Sequence, residues 1–340
     1  MVSFELPQVT SCFTLSFTKI TLTAIMTAFA ASVLILALLL RTGAAWKLAM
    51  DIPNARSLHT RPTPRVGGWA LTPVAVLVML WLARPLWPLA LLALFLGLLS
   101  QIDDRRGLPA RYRFAGHLFA AIALVVIQPP LYLWWLGIPI VVALVWVSNL
   151  YNFMDGANGL AGGMAVFGFG GYALMAGAAH PDICIASAAI AAAAAGFLTF
   201  NFPNAKVFLG DAGSIPLGFL VGGVGYWGWC ANAWDFWFPV FVFAPFIFDA
   251  TVTLLKRLMR RERFWEAHRQ HYYQRMIGMA GAHTPVVVRW YVVMVCGIAL
   301  AVVSSGLSGR WPFAILVGWL CILALMGWNV DRRWRREPAY

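Results

Sequence analysis

Two adjacent acidic side chains, Asp103 and Asp104, stand at the end of a long apolar run and precede Arg105 and Arg106. Carboxylates at the C-terminal end of a helix oppose the helix dipole, so their placement is locally unfavourable. A divalent cation would relieve that repulsion, and one carboxylate could also take a proton from an attacking phosphate. Ion pairing with the two arginines is the structural alternative. The pair therefore marks a candidate catalytic site.

A second group of polar residues, Asn152, Asp155 and Asn158, interrupts the apolar sequence at intervals of three positions. Placing amides and a carboxylate at the edge of a membrane costs free energy unless they bind a ligand or a metal ion. A polar cap on a loop is the alternative. We expect these residues to contact a substrate.

A third acidic residue, Asp211, lies between Gly210 and Gly213. The glycines permit a close approach of the backbone, and the N-terminus of the following helix favours anions. Phe208 precedes this turn and could stack on a nucleobase, although a phenylalanine of the core explains it equally well. This segment is a candidate for binding a phosphorylated substrate.

Cationic side chains gather first between residues 51 and 68, where prolines and glycines prevent a helix. Arg56, His59 and Arg65 in this loop are suitable donors to a phosphate. Positive charge that only fixes the orientation in the membrane is the alternative. We favour a phosphate-binding loop.

A second basic stretch, residues 256–275, carries His268 and His271 one helical turn apart, so that they would share a face. This spacing could bind a metal, but nearby arginines such as Arg275 would repel it, and contact with a pyrophosphate fits better. A basic amphipathic helix on anionic lipid is the alternative. Asp249 would lie just below the membrane surface, either bracing this site or joining two helices.

The composition indicates where these motifs are held. Hydrophobic residues make up 61% of the 340 residues and charged residues 11%, whereas soluble domains have about 45–50% and about 25%. The chain has too few polar residues to cover an apolar core in water, and lipid must therefore cover the apolar surface. The net charge of +12 sits in short segments between apolar runs, which indicates membrane topology rather than nucleic-acid binding.

Eleven apolar runs predict an all-α, polytopic bundle of transmembrane helices. They are residues 22–40, 69–83, 86–102, 114–130, 133–151, 163–179, 183–200, 215–231, 236–255, 290–307 and 312–330. A span needs about 20 residues, so the second and third runs are the weakest. Residues 1–21 read as an external tail, or as sequence before a later true start, and residues 331–340 as a basic cytoplasmic tail.

The lysines and arginines predict the orientation. Twenty-two of the 25 lie in segments on one side of the bundle, namely 41–66, 103–113, 201–214, 256–289 and 331–340. The positive-inside rule places this side in the cytoplasm, with the N-terminus outside and the C-terminus inside. Every polar motif then faces the cytoplasm.

Taken in order, the five motifs resemble those of the polyprenyl-phosphate N-acetylhexosamine-1-phosphate transferase superfamily (glycosyltransferase 4 family). The resemblance is closest to its WecA/WbpL-like branch, which starts O-antigen and related glycan synthesis, and it covers essentially all of the chain beyond the N-terminal tail. It implies a bundle of ten or eleven helices, so that residues 22–330 form the transferase domain. It also implies a cytoplasmic active site that uses Mg²⁺, with Mn²⁺ as a substitute.

The same resemblance assigns roles to residues of this chain. Asp103 and Asp104 match the paired aspartates and would activate the lipid phosphate. Asp211 matches a metal-binding aspartate and would share Mg²⁺ with Asn152. The nucleotide-sugar would contact Asp155, Asn158, Phe208, His268, His271 and Arg275, and the phosphate-binding loop would contribute Arg56, His59 and Arg65.

One residue departs from the family's pattern. Asn158 stands where many relatives have a second aspartate. A carboxylate role as metal ligand or base is therefore in doubt at this position, although an amide could still hold the nucleotide by hydrogen bonds.

The implied reaction joins a UDP-N-acetyl-amino-sugar to undecaprenyl phosphate in the bacterial inner membrane, with release of UMP. Membrane lipid and a second copy of the chain are expected partners, and nucleic acid is not. A phospho-N-acetylmuramoyl-pentapeptide transferase is the alternative within enzymes, but its triple-histidine loop differs from His268-Arg-Gln-His271. A lipid-linked sugar transporter is the alternative outside enzymes, and the scarcity of ionisable residues within the apolar runs disfavours it.

Overall fold

The computed structural model describes residues 7–53, 61–130, 134–263 and 268–336, and these ranges are mostly helical. Two two-residue strands, β1 (Met50–Asp51) and β2 (Thr63–Pro64), pair antiparallel. The helices are α1 Pro7–Arg41, α2 Ala44–Leu48, α3 Gly68–Leu82, α4 Trp87–Arg106, α5 Ala110–Ile127, α6 Gly137–Phe153, α7 Leu160–Ala176, α8 Pro181–Asn201, α9 Asp211–Cys230, α10 Trp237–Met259, α11 Tyr272–Ala280, α12 His283–Ser305 and α13 Trp311–Arg336.

Each of the eleven apolar runs overlaps one helix of at least 15 residues, and the predicted all-α polytopic membrane bundle is confirmed. Within the described ranges, seven helices are long and apolar enough to cross a membrane, and α3, α6 and α7 are shorter apolar helices. Helix α3 has 15 residues, fewer than the roughly 17–20 that a span needs. The number of spans and the sides of the termini stay predictions.

Helix α1 already begins at Pro7, within the range expected to be an external tail, and the position of this range outside the membrane stays a prediction. The polar residues of this region are compatible with a helix since their hydroxyls bond back to the preceding turn. Thr21 Oγ1 donates to the Phe17 carbonyl over 2.9 Å, and Thr23 Oγ1 donates to the Lys19 carbonyl over 2.8 Å. The predicted basic tail likewise begins as helix, since α13 continues to Arg336.

Close helix packing brings three polar helix ends together. Helix α9 packs along α4 and α6, while α8 packs between α1, α3 and α7. Small residues permit this approach. A Cβ on Gly218 of α9, for example, would lie 2.8 Å from the Ser148 Cα of α6. The last turn of α4, the end of α6 and the first turn of α9 therefore meet in one place.

A short backbone pairing fixes the loop before α3 against the loop before α9. Phe208 N donates to the Pro64 carbonyl, Gly67 N donates to the Phe208 carbonyl, and each bond is 2.9 Å long. Gly68 is required where the loops cross, because a Cβ there would lie 2.4 Å from the Gly213 nitrogen. The pairing places Arg65 alongside Phe208, one turn before Asp211.

Candidate active site

Three carboxylates lie in the region where the polar helix ends meet. Asp104 comes from the last turn of α4, Asp155 from the loop between α6 and α7, and Asp211 from the first position of α9. The charge of Asp211 acts on both of the other carboxylates. We call these three residues the acid cluster. The sequence analysis predicted each of them, and the structure brings them together.

One guanidinium stands beside the acid cluster. Arg65 Nη2 donates a 2.6 Å hydrogen bond to Asp51 Oδ1, and its Nη1 lies 3.9 Å from Asp104 Oδ1. The charge of Arg65 also acts on Asp155 and Asp211. Among the described residues, Arg65 and Arg113 therefore face five carboxylates, which leaves an excess of negative charge; the five are Asp51, Asp103, Asp104, Asp155 and Asp211.

The protonation of Asp155 reflects this excess. Burial and the negative charge of Asp211 raise the pKa of the Asp155 carboxyl well above its usual range, and Arg65 offsets only part of the rise. A buried carboxylate is stabilised in its charged form by a nearby cation. Binding of a positive ion here would therefore lower the pKa of Asp155 again.

The acid cluster has the chemistry of a site for a hard divalent cation. Oxygen ligands suit Mg²⁺, which usually takes one or two carboxylates and completes its shell with water and substrate phosphates. The side chain of Asp104 is 9% exposed, and its buried Oδ2 has no hydrogen-bond partner in the described part of the chain. Within those residues no three His, Cys, Asp or Glu side chains are already gathered around one ion position. Asp211 and one neighbouring carboxylate could hold an ion that the substrate completes.

Asn152 contacts the acid cluster through Asp211. Its side-chain amide hydrogen-bonds Asp211, and its Oδ1 accepts a 2.7 Å hydrogen bond from Ser214 Oγ. Ser214 lies in the first turn of α9, so the amide joins α6 to α9. In this arrangement Asn152 orients Asp211, and its oxygen would have to leave Ser214 in order to ligate a metal.

The structure separates the two adjacent aspartates. Asp103 Oδ1 accepts a 2.7 Å hydrogen bond from Leu108 N, and its Oδ2 lies 3.2 Å from Arg113 Nη1. Both oxygens of Asp103 therefore hold the turn between α4 and α5. The charge of Asp103 still acts on Asp211. Asp104 instead lies beside Arg65 and keeps one oxygen without a hydrogen-bond partner among the described residues, so it is the better placed of the two to meet a substrate.

Asn158 lies outside the acid cluster. Its backbone nitrogen donates to His283 Nδ1 and its Nδ2 donates to the Pro203 carbonyl, each over 3.2 Å. The next residue, Gly159, donates a 2.6 Å hydrogen bond to Asn201 Oδ1. These contacts fasten the loop after Asp155 to the loop after α8.

The two predicted histidines do not share a helical face, which corrects the sequence analysis. His268 and His271 lie in a non-helical segment, and their rings approach to 4.9 Å. His271 caps the N-terminus of α11. The backbone turns at this point because Asp249 Oδ1 and Oδ2 accept hydrogen bonds of 2.9 Å from Tyr272 N and Tyr273 N.

Asp249 braces the histidine segment, as one of its two expected roles required. His271 Nδ1 lies 3.2 Å from Asp249 Oδ1. Tyr273 then reaches the acid-cluster side, because its hydroxyl donates to the Phe153 carbonyl over 3.1 Å. The α6–α7 loop, which carries Asp155, is therefore fastened to the start of α11.

Burial, the neighbouring His271 and the charge of Arg257 lower the pKa of His268 to about 4. His268 is therefore neutral near pH 7. A neutral imidazole can donate one hydrogen bond and accept another, so His268 can contact a sugar or a phosphate without adding charge.

Of the remaining predicted residues, Arg275 and Phe208 are described by the structure and Arg56 and His59 are not. Arg275 does not reach the acid cluster, because its Nη1 donates a 2.6 Å hydrogen bond to Asp331 Oδ1 and its guanidinium stacks on Tyr272. Phe208 is half-buried beside Arg65. Arg56 and His59 lie outside the described residues.

Asp51, Arg113 and Ser214 belong to the site but were missed by the sequence analysis. Asp51 opens the first basic loop, and Ser214 closes the turn that begins at Gly210, so both were visible within motifs already singled out. Their roles depend on contacts between distant segments, which spacing does not reveal.

Comparison with known proteins covers the part of the chain that carries the acid cluster. The family model described as glycosyl transferase family 4 matches residues 86–228, which include the whole acid cluster. A probable undecaprenyl-phosphate N-acetylglucosaminyl 1-phosphate transferase of Bacillus subtilis (strain 168) is 26% identical over 265 residues, covering 72% of this chain and 74% of that protein.

Two further relatives cover less of their own length. A decaprenyl-phosphate N-acetylglucosaminephosphotransferase of Mycolicibacterium smegmatis is 33% identical over 51% of this chain and 52% of that protein. A phospho-N-acetylmuramoyl-pentapeptide-transferase of Geobacillus kaustophilus is 32% identical over 46% of this chain and 58% of that protein. The chain thus spans between about half and three quarters of the length of these relatives.

Proposed function

We propose that the chain belongs to glycosyl transferase family 4, within the polyprenyl-phosphate N-acetylhexosamine-1-phosphate transferases, and that it is a phosphoglycosyltransferase. It transfers an N-acetyl-amino-sugar 1-phosphate from a UDP-sugar to undecaprenyl phosphate. A phosphate oxygen of the lipid attacks the β-phosphorus of the UDP-sugar. The bond between that phosphorus and the bridging oxygen breaks, and UMP leaves.

The acid cluster is the observation that carries this proposal. A diphosphate substrate and three carboxylates would repel one another, so the site requires a cation between them. Asp211 and Asp155 would hold Mg²⁺, for which Mn²⁺ could substitute, with Asn152 orienting Asp211. When bound, the cation neutralises the charge that develops on the pyrophosphate.

Asp104 and Arg65 take separate parts in the proposed reaction. The free oxygen of Asp104 is available to accept a proton from the lipid phosphate. Arg65, held by Asp51, presents a guanidinium that can bind a phosphate oxygen. Arg56 and His59 in the same loop, with Phe208 against the uracil and His268 and His271 near the pyrophosphate, are proposed further contacts of the substrates.

We place the active site on the cytoplasmic face of a bacterial inner membrane, where the chain is a multi-pass integral protein. The distribution of lysines and arginines supports this side, and UDP-sugars are soluble donors that reach the site from water. The product would start O-antigen or a related surface glycan. We also propose that two copies of the chain form a homodimer.

A second candidate is transfer of phospho-N-acetylmuramoyl-pentapeptide, which the Geobacillus kaustophilus relative is named for. Here the residue after His271 is Tyr272, whose hydroxyl accepts a 2.6 Å hydrogen bond from Lys256 Nζ. Because a tyrosine of the structural core occupies this position, the loop does not have the three histidines that characterise the phospho-N-acetylmuramoyl-pentapeptide transferases. We therefore favour the smaller N-acetyl-amino-sugar donor.

The proposed function is tested with the purified full chain in liposomes. UMP release is measured with UDP-GlcNAc, UDP-GalNAc, UDP-QuiNAc and UDP-FucNAc. We expect release from at least one donor only when undecaprenyl phosphate and Mg²⁺ are both present. Asp182→Asn, at the opposite end of the bundle, is the matched control and should keep wild-type activity. Release of UDP instead of UMP, or activity that persists in EDTA, would contradict the proposal.

A further inference from the structure

A cavity of about 430 Å³ lies between α10, α11, α12 and α13, apart from the acid cluster. Apolar side chains line its deeper part, including Phe248, Met276, Val293, Leu323 and Met326. Methionine side chains adapt their shape to an irregular or flexible occupant. The cavity therefore has the lining that an alkyl chain would require.

Two arginines line the same cavity. Arg289 of α12 and Arg333 of α13 are both exposed, and neither makes an ion pair with another described residue. From Leu323 to Arg333 the lining of α13 extends over roughly 15 Å at about 1.5 Å per residue. The cavity is thus apolar at one end and cationic at the other.

One wall of the cavity is held firmly in place. The Tyr272 ring stacks on Phe248 with centroids 6.0 Å apart, and Arg275 lies 4.5 Å above the ring centroid. Helix α13 packs so closely here that a Cβ on Gly327 would lie 2.9 Å from the ring. The cavity is therefore a feature of the packed bundle and not of a loop.

We propose that this cavity binds one anionic membrane phospholipid, with an acyl chain along Val293 and Met326 and its phosphate between Arg289 and Arg333. Basic pockets between membrane helices on the cytoplasmic side are suited to anionic head groups. The apolar part alone would not select a lipid, because acyl chains lose no contact with water when they enter it. The two unpaired guanidiniums supply the selectivity for negative charge.

The lipid acceptor of the reaction is a different occupant. No residue that lines the cavity belongs to the acid cluster, where the acceptor phosphate has to react. Tyr272 faces the cavity, whereas the next residue, Tyr273, bonds to the Phe153 carbonyl beside the acid cluster. The start of α11 therefore stands between the two sites.

Native mass spectrometry of the full chain, released from nanodiscs of mixed phosphatidylglycerol and phosphatidylcholine, tests the proposal without any sugar donor. We expect one retained phosphatidylglycerol, preferred at least tenfold over phosphatidylcholine. The double variant Arg289→Gln/Arg333→Gln should lose at least tenfold of that retention. The matched control Arg332→Gln/Arg336→Gln removes the same charge from α13 outside the cavity and should retain the lipid.

A second pair of variants tests the apolar end. Val293→Phe should fill the cavity and prevent retention of the lipid, whereas Val292→Phe, at a position 60% exposed, should not. The proposal would be overturned if the two double variants retained equal amounts of phosphatidylglycerol, or if the wild type retained phosphatidylcholine as well as phosphatidylglycerol. A third outcome would also overturn it: undecaprenyl phosphate displaces phosphatidylglycerol, and the Arg289→Gln/Arg333→Gln variant has a raised KM for undecaprenyl phosphate. The cavity would then be the acceptor site.

Discussion

Arg65 is joined to Asp51 by a 2.6 Å hydrogen bond across the two short strands, although 14 residues separate them in sequence. The bond fixes the guanidinium beside the acid cluster. Asp51 therefore serves the site by positioning another residue.

We expect Asp51→Asn to lower turnover about tenfold, because the guanidinium of Arg65 loses its charged anchor. Arg65→Gln should be more damaging, and the double variant should resemble Arg65→Gln alone. A double-mutant cycle on kcat/KM should give a coupling energy of about 0.5–3 kcal/mol, as is typical of residues in contact. Additive losses would mean that Asp51 acts independently of Arg65.

Asp104→Asn and Asp103→Asn form a matched pair on adjacent residues. We expect Asp104→Asn to reduce kcat by roughly 10²-fold or more, since loss of a general base typically has this effect. Asp103→Asn keeps an acceptor for Leu108 N and weakens only the contact with Arg113. Its activity should fall less than tenfold, with a lower melting temperature in detergent. The reverse order of kcat values would exclude Asp104 as the base.

The magnesium requirement should depend on pH. The pKa of Asp155 is raised by burial and by the charge of Asp211, so protons compete with the cation for this carboxylate. The Mg²⁺ concentration for half-maximal activity should therefore fall as the pH rises through that pKa. Titrations of the Mg²⁺ requirement over the pH range in which the protein stays folded would measure this, and Asp155→Asn should flatten the dependence. Asp211→Asn should raise the Mg²⁺ requirement at every pH, and unchanged affinity would contradict the metal role.

His268 should make the fold sensitive to acid. Its folded pKa is about 4, below the unfolded value of about 6.5. The unfolded chain therefore binds the extra proton first, so stability is fully present above pH 6.5 and declines as the pH falls towards 4. Melting temperatures between pH 4 and pH 8 should show a steeper decline for the wild type than for His268→Gln. Parallel curves would show that His268 does not contribute.

Reporter fusions test the orientation. A reporter after Tyr340 should read cytoplasmic and one inserted near Asp182 should read external, because most lysines and arginines lie on the first side. The opposite pattern would place the acid cluster away from UDP-sugars and would contradict the proposed function.

The helices followed from the sequence because apolar runs define helices. Asp104, Asp155 and Asp211 were among the candidate site residues because polar residues at helix ends must be stabilised by ligands or by one another, but their grouping into one cluster was not predicted. The difference between Asp103 and Asp104 did not follow. Successive residues of a helix point about 100° apart, so only tertiary packing decides which one faces Arg65. The roles of Asn158 and Arg275 depend equally on distant partners, Pro203 and Asp331.

The contact of Asp331 with Lys256 and Arg275 also has a consequence for biosynthesis. Asp331 lies 75 residues after Lys256, so at roughly 5–20 residues per second the ribosome adds it several seconds later. During that interval both cations lack this partner and, in the proposed orientation, can act as topogenic charges that retain their segment in the cytosol. Once α13 inserts, the same two cations no longer direct membrane insertion and instead bind Asp331, which holds α13 against the rest of the bundle.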